Sequence, residues 1–263
     1  MTSTEQPEIL AEIDGAIGRI TINRPAKRNA MTLEMWRCLG QILEGWKSDS
    51  TIRVVILAGT GDKSFCAGND IKEYATIRAT AEQRVAYDAV TTHTYNLLKT
   101  FPRPTIARIT GYCVGGGMEL ALLCDLQIAA ASASFAVTPA RLGIGYKLED
   151  VELLLENISP KHARELLYTA DKFPAETAER WGLISRAVPD DRLDDEIAAL
   201  ATKIASNAPL TVEALKVTIA EGTADKPDRA RCAELVKLCD ASNDRVEGQT
   251  AFAEKREPVF GGK

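Results

Sequence analysis

The sequence predicts an α/β fold with a helical C-terminal region, and three observations carry that expectation. A hairpin signal opens the chain, short β-branched runs then alternate with helical stretches at crossover spacing, and from about Pro160 the pattern turns mainly helical.

The segments EILAEI and AIGRITIN alternate apolar and polar residues as strands do, and Asp14-Gly15 between them is a strong two-residue turn signal. Across Met31 to Lys47, Leu33, Trp36, Leu39, Leu43 and Trp46 recur at helical spacing, and Asn29 or Thr32 could cap that helix. RVVILAG (53–59) reads as a buried strand and SFCAGNDIKE as the loop leaving it. TIARITG (105–111) is a strand, GGGMELALLC begins a helix, and DLQIAAA is a strand again. Helices are then expected at PKHARELLYTA, PAETAERWG, DDRLDDEIAALATKIA, PLTVEALKVTIAEG and near Arg245 to Lys255. The division expected is an α/β core over 1–190 and a helical region over 191–263 that packs on neighbouring subunits. No internal repeat is visible in the sequence.

With 45% apolar residues, the 263-residue chain can bury a full core. Its 32 basic residues are interleaved among 37 acidic ones, for a net charge of −5, so no basic footprint for nucleic acid or membrane is present. MTSTEQPEIL lacks the basic and apolar segments of a leader, and a cytoplasmic location is the expectation. Six cysteines without a C-x-x-C pair read as reduced structural thiols. Two histidines, His93 and His162, both on helical stretches, leave no material for a Ser-His-Asp or Cys-His hydrolase, nor for a zinc site; no metal is expected.

In GYCVGGGMELAL, glycines between a strand and a helix leave backbone N–H groups unshielded at a helix N-terminus, where anions are favoured. The G-x-G-x-x-G and P-loop spacings of phosphate sites are missing, and an oxyanion hole is the remaining use. A second donor would come from FCAGNDIKE, so that the N–H groups of Asn69 and Gly116 could meet one oxygen. Taken singly, the glycines equally suit tight turns.

Together, FCAGNDIKE and GYCVGGGMELALLCDLQIAA resemble the crotonase family, the enoyl-CoA hydratase/isomerase group. INRPAKRNAM, TAERWGLISRAVP and SNDRVEGQTAFAEKREPVF extend the resemblance from about Ile9 to Phe260. It implies a spiral core of ββα turns, a helical trimerisation region, and a homotrimer or hexamer. It also implies an acyl-CoA thioester as substrate, with coenzyme A carried by the substrate and no further cofactor. Asn69 and Gly116 match the family's oxyanion donors. Ala26, Arg28, Ala67, Asp70, Ile71, Lys72, Phe252 and Lys255 match positions around the coenzyme A, and Tyr74 and Ile77 belong to the segment that lines the acyl pocket.

The chain departs from the hydratase pattern at one point. Glu119 matches the first of two glutamates, but the family's F-G-x-P-E turn reads Phe135-Ala136-Val137-Thr138-Pro139, with proline in the second glutamate's place. Two carboxylates on one water divide the work of hydration, and one does so less well. FAVTPARLGIGYKL instead resembles the crotonase-family methylmalonyl-CoA decarboxylases, in which Thr138 and Tyr146, eight residues apart, would line the acyl pocket. That similarity implies decarboxylation of a malonyl-type CoA, with Tyr146 orienting the carboxylate or giving a proton and Thr138 positioning it. The rivals are a hydratase or isomerase working with Glu119 alone and a non-catalytic acyl-CoA-binding protein. Blander roles stay open: a packed loop tyrosine for Tyr146, a cap or ion pair for Glu119, a helix cap for Asp70. Asp125 has no expected role.

Overall fold

The computed structural model describes residues 6–263, apart from the side chains of Tyr74 and Ala75, so the expectation for Tyr74 falls outside the described side chains. β1 (Ile9–Asp14) and β2 (Ile17–Ile22) pair antiparallel with Asp14 opposite Ile17. The two turn residues are therefore Gly15 and Ala16, one place beyond the expected Asp14-Gly15.

α1 (Leu33–Trp46) is capped by Thr32, whose Oγ1 accepts from the Met35 N–H at 3.2 Å. Asn29 is buried and takes no part in the cap. Its amide donates to the carbonyls of Ser64 at 2.7 Å and Thr60 at 3.1 Å, fixing one loop against the next.

β3 (Val54–Gly59), β5 (Thr105–Ile109) and β7 (Leu126–Ala130) run parallel in a six-stranded sheet of order β1-β2-β3-β5-β7-β10, where β10 is Arg186–Val188. β4 (Ser64–Cys66), β6 (Tyr112–Val114) and β8 (Ser134–Ala136) run parallel in a second sheet, which β9 (Phe173–Pro174) completes. After β3, β5 and β7 the chain crosses from the large sheet to the small one and then, through helices, returns. This is the expected ββα spiral. α2 (Ile71–Ile77) and α3 (Ala81–Lys99) close the first turn, and α4 (Gly116–Leu122) closes the second. Returns of such different length share a backbone path with no residue register, which is why no repeat shows in the sequence.

The main core lies inside the spiral, around Trp36, Phe65, Phe101 and Phe135. A second layer covers the other face of the large sheet, where Leu193, Ile197 and Ala201 pack on Val54, Ile56, Ile106 and Ile128. β3 is thus buried on both faces, as its unbroken apolar run requires. Those three residues belong to α9 (Leu193–Ala205), so a division at 190/191 cuts off a helix that the sheet needs, each large side chain buried there contributing about 1.5–3 kcal/mol.

α5 (Pro139–Leu142), α6 (Leu148–Leu155), α7 (Pro160–Thr169) and α8 (Ala175–Trp181) follow the spiral. His162 of α7 stacks on Trp181 of α8 at 4.7 Å. α10 (Pro209–Thr223), α11 (Arg229–Ala241) and α12 (Asn243–Glu254) end the chain. In α11 Leu235 is buried while Val236 and Leu238 are exposed. Asp125, expected to be idle, ties α10 to the spiral by accepting from the Thr105 N–H at 2.7 Å and Lys216 Nζ at 2.8 Å. All six cysteines are free. Among the described residues no helix is long and apolar enough to cross a membrane.

Candidate active site

α4 begins at Gly116, directly after β6, and the loop 67–70 after β4 lies against its N-terminus. The approach is backbone to backbone. A Cβ on Gly117 would stand 2.2 Å from the Cys66 carbonyl oxygen, and one on Gly68 would stand 2.9 Å from that of Val114 and 3.1 Å from the Gly116 nitrogen. Glycine is therefore required sterically at both places.

Asn69 pairs with Met31 as an isolated parallel bridge, in which Met31 N–H donates to Gly68 and Asp70 N–H donates to Met31. That pattern turns the N–H of Asn69 itself away from Met31. Among the described residues no protein acceptor meets the N–H of Asn69 or of Gly116. The Asn69 side chain lies beside Gly116, within 3.5 Å of where a Cβ would stand, and its Oδ1 accepts from Trp36 Nε1 at 2.9 Å. The structure thus brings together the two predicted donor positions.

One helical turn into α4, Glu119 is 8% exposed, and both carboxylate oxygens are occupied. Oε2 accepts from Tyr95 Oη of α3 at 2.8 Å, and Oε1 accepts from Tyr146 Oη, which follows α5. Burial chiefly, and then the negative charge of Asp150 on α6, push the Glu119 carboxyl above its usual range, against the opposing pull of the two phenols and Lys147. Burial first, and then the charge of Glu119, push both phenols up. The tyrosines therefore stay protonated as donors. Lys147 also pairs with Asp88 at 3.0 Å.

The remaining expectations fall into three groups. Ala67 N–H donates to the Arg28 carbonyl at 3.1 Å, and Ala26 and Arg28 line an open groove of about 320 Å³. The loop carrying Ala26 and Arg28 thus meets the loop carrying Ala67. Asp70 caps α2, accepting from Lys72 N–H at 3.0 Å, and pairs with Arg24 at 2.7 Å, which holds its carboxyl below the usual range. Its charge is thus committed to the loop. Ile71 and Lys72 are exposed on the first turn of α2. Phe252, 87% exposed, and Lys255 stand at the end of α12 in no hydrogen bond with the other candidate residues.

Thr138 stands outside this network. It precedes α5 half-buried, makes no side-chain cap, and shares no hydrogen bond with Tyr146. Tyr146 is positioned by Glu119 instead, because the buried carboxylate is the stronger acceptor. Tyr95, Trp36 and Asp150 were missed by the sequence reading. Trp36 showed only as one member of an apolar stripe, and nothing in the sequence pairs Tyr95 or Asp150 with Glu119.

Among the described residues no three His, Cys, Asp or Glu side chains gather as a metal site requires. The larger cleft, about 500 Å³, lies between α1 and α3 and is lined by Arg37, Gln41, His93 and Thr94, none of them a candidate residue.

Residues 12–263 match the family described as Enoyl-CoA hydratase/isomerase. The chain is 34% identical to a crotonyl-CoA hydratase of Syntrophomonas wolfei, covering 96% of this chain and 97% of that protein. It is 36% identical to a carnitinyl-CoA dehydratase of Escherichia coli, covering 95% and 97%. Among solved structures, an enoyl-CoA hydratase/carnithine racemase from Magnetospirillum magneticum superposes with a TM-score of 0.94 at 37% identity, over 98% of this chain and 97% of that one.

Proposed function

Since the chain belongs to the enoyl-CoA hydratase/isomerase family, we propose that it adds water reversibly across the double bond of an enoyl-CoA, with Glu119 as its single catalytic carboxylate. The observation that carries this reading is the buried Glu119, which is held by two phenols and stands on the short helix whose first N–H, that of Gly116, is free. Relatives named as a hydratase and a dehydratase support it.

In the forward direction Glu119 takes a proton from water as the water oxygen bonds to C3, and the displaced π electrons form the thioester enolate. The enolate oxygen accepts from the N–H groups of Asn69 and Gly116, where fixed donors stabilise charge as it develops. Glu119 then returns its proton to C2. One carboxyl suffices because the proton it gains in the first half-step is the one it gives in the second, and its raised pKa suits it to both. The acyl group arrives on coenzyme A, with Ala26, Arg28, Ala67 and Lys72 along its path, and no metal or redox group takes part. The exposed apolar residues of α10 to α12, Leu215, Ile219, Val236 and Val246, suit a homotrimer or hexamer in which Phe252 and Lys255 approach a neighbour's coenzyme A.

A second reading, decarboxylation of a malonyl-type CoA, is favoured by Pro139 in place of a second glutamate. There the C1–C2 enolate forms as carbon dioxide leaves, and Tyr146 orients the leaving group. The committed hydroxyl of Tyr146, already donating to Glu119, counts against it. Mass spectrometry after incubation with crotonyl-CoA and, separately, methylmalonyl-CoA tests both. Gain of water by the first is expected; loss of carbon dioxide from the second alone overturns the hydratase, and tight binding of both in a separate titration without turnover of either would count for a non-catalytic acyl-CoA-binding protein.

A further inference from the structure

Trp36 sits between the two halves of the site on α1, a helix that supplies neither an oxyanion donor nor the carboxylate. Its indole is fully buried, and Nε1–H donates to Asn69 Oδ1 at 2.9 Å. The Tyr95 ring meets the indole edge to face, with centroids 5.3 Å apart and planes at 67°, and Tyr95 Oη reaches Glu119 Oε2 at 2.8 Å. α1 and α3 are clamped at the same level, where Thr94 Oγ1 donates to the Trp36 carbonyl at 3.0 Å. A continuous path of packed and hydrogen-bonded groups therefore runs Asn69–Trp36–Tyr95–Glu119. A buried tryptophan needs some acceptor for its N–H, and any carbonyl would serve. Here the acceptor is the side chain of the residue whose own N–H is left free.

We propose that Trp36 and Tyr95 are positioning residues that hold the Asn69 N–H and the Glu119 carboxylate in fixed relation across the reacting carbons. The inference rests on the reading of Asn69 as an oxyanion donor and Glu119 as the acid–base group. Neither Trp36 nor Tyr95 carries a chemical step: each acts through a neighbour, Asn69 for the indole and Glu119 for the phenol. The indole N–H fixes the Asn69 side chain, and with it the peptide plane from which the donor N–H projects. The phenol fixes Oε2, and the ring contact ties the two adjustments together. Reacting groups displaced by a fraction of an ångström lose much of their advantage, so the brace acts on turnover and leaves coenzyme A binding alone.

Trp36→Phe keeps an aromatic ring and removes the N–H; Asn69→Ala removes the acceptor and keeps the backbone donor. Each is expected to lower kcat with crotonyl-CoA about tenfold, the loss of one hydrogen bond's worth of alignment, with KM unchanged. The double variant should be no worse than either single one, because both cut the same link. Tyr95→Phe should also move the acid limb of the pH–rate profile upward, since it removes a donor that favours ionised Glu119, while Trp36→Phe should not.

Independently of turnover, acetoacetyl-CoA bound to the wild type should show the ultraviolet absorbance of its enolate, and Trp36→Phe should weaken it. Wild-type kcat and enolate absorbance in Trp36→Phe, or losses that multiply in the double variant, would overturn the proposal. Should Trp36→Phe not fold, Asn69→Ala decides it, since a wild-type rate there breaks the first link. A wild type that neither hydrates crotonyl-CoA nor enolises acetoacetyl-CoA overturns the functional reading and this inference with it. A competent wild type with an equally competent Trp36→Phe overturns this inference alone.

Discussion

Tyr146 and Glu119, 27 positions apart in the chain, share a hydrogen bond in which the phenol donates to Oε1 of the carboxylate. The phenol stands in the segment where a second carboxylate was looked for, and it cannot replace one as a base. Burial and the neighbouring charge hold its proton on, so near neutral pH it only donates. The site is therefore one carboxylate steadied by two phenols, and the raised Glu119 is the group that the proposed reaction uses as acid and base.

Glu119→Gln separates activity from stability. Loss of the acid–base group should lower kcat with crotonyl-CoA by about 10²–10⁴. Stability should move the other way at neutral pH. Glu119 has a folded pKa above its unfolded one, so the folded state binds the extra proton in the window between them. Its favourable contribution is complete below the ordinary carboxylate range and is lost as pH rises through the raised value. The neutral glutamine escapes that loss, and thermal melts should show its advantage at pH 7 shrinking as pH falls through the raised value and gone below the ordinary carboxylate range. A variant melting below the wild type at neutral pH would show that the two phenols more than offset the cost of burying the charge.

Tyr146→Phe and Asp150→Asn should shift the acid limb of kcat/KM in opposite directions. In the proposed hydration Glu119 acts ionised, so activity should fall as pH drops through the Glu119 pKa. The phenol favours ionisation, and removing it should move the limb to higher pH; the Asp150 charge opposes ionisation, and neutralising it should move the limb to lower pH. Shifts of the same sign in both would mean that the limb reports some other group.

What was legible in the sequence was whatever leaves a local mark. The glycines of α4 and the Asn69 loop are read from composition at a strand–helix junction, and β3 from an unbroken apolar run. Residues whose meaning is set by a distant partner were not legible. Tyr95 sits on a helix with weak apolar periodicity, and only the fold brings its hydroxyl to Glu119. Trp36 looks like core because it is core, its N–H aside. The separation of Thr138 from Tyr146's hydrogen bond was hidden for a related reason: eight residues of spacing place no constraint on two side chains when α5 lies between them. Asp125 seemed idle because Lys216 lies 91 positions away.

Asp125→Ala should loosen the C-terminal helices from the spiral. The carboxylate accepts from Thr105 N–H, Thr105 Oγ1 and Lys216 Nζ, at 2.7, 2.9 and 2.8 Å. A charged hydrogen bond of this kind contributes about 1.5–3 kcal/mol, and its loss leaves the largely buried Lys216 with the Arg103 carbonyl and no carboxylate. Denaturant unfolding should show a destabilisation of that order, with hydrogen exchange rising first in α10. Uniform exchange across the chain would mean that α10 is held chiefly by its packing.

Gly117→Ala tests whether the close approach of the two backbones is what assembles the oxyanion donors. The added Cβ would sit 2.2 Å from the Cys66 carbonyl oxygen and 2.7 Å from its carbon. Neither neighbour is the movable end of a side chain, so either α4 or the strand leading to Asn69 must shift. Overpacking of this kind costs about 1–3 kcal/mol, while the separation of the Asn69 and Gly116 N–H groups costs turnover as well. Gly45→Ala, on the far end of α1 with nothing within 4 Å of the new Cβ, is the control for a glycine replaced in a helix. A folded Gly117→Ala with strongly reduced kcat and little change in KM is the expected result. Wild-type kcat in the variant would show that the donors tolerate the displacement, and that their alignment is set elsewhere than at the contact between β4 and α4.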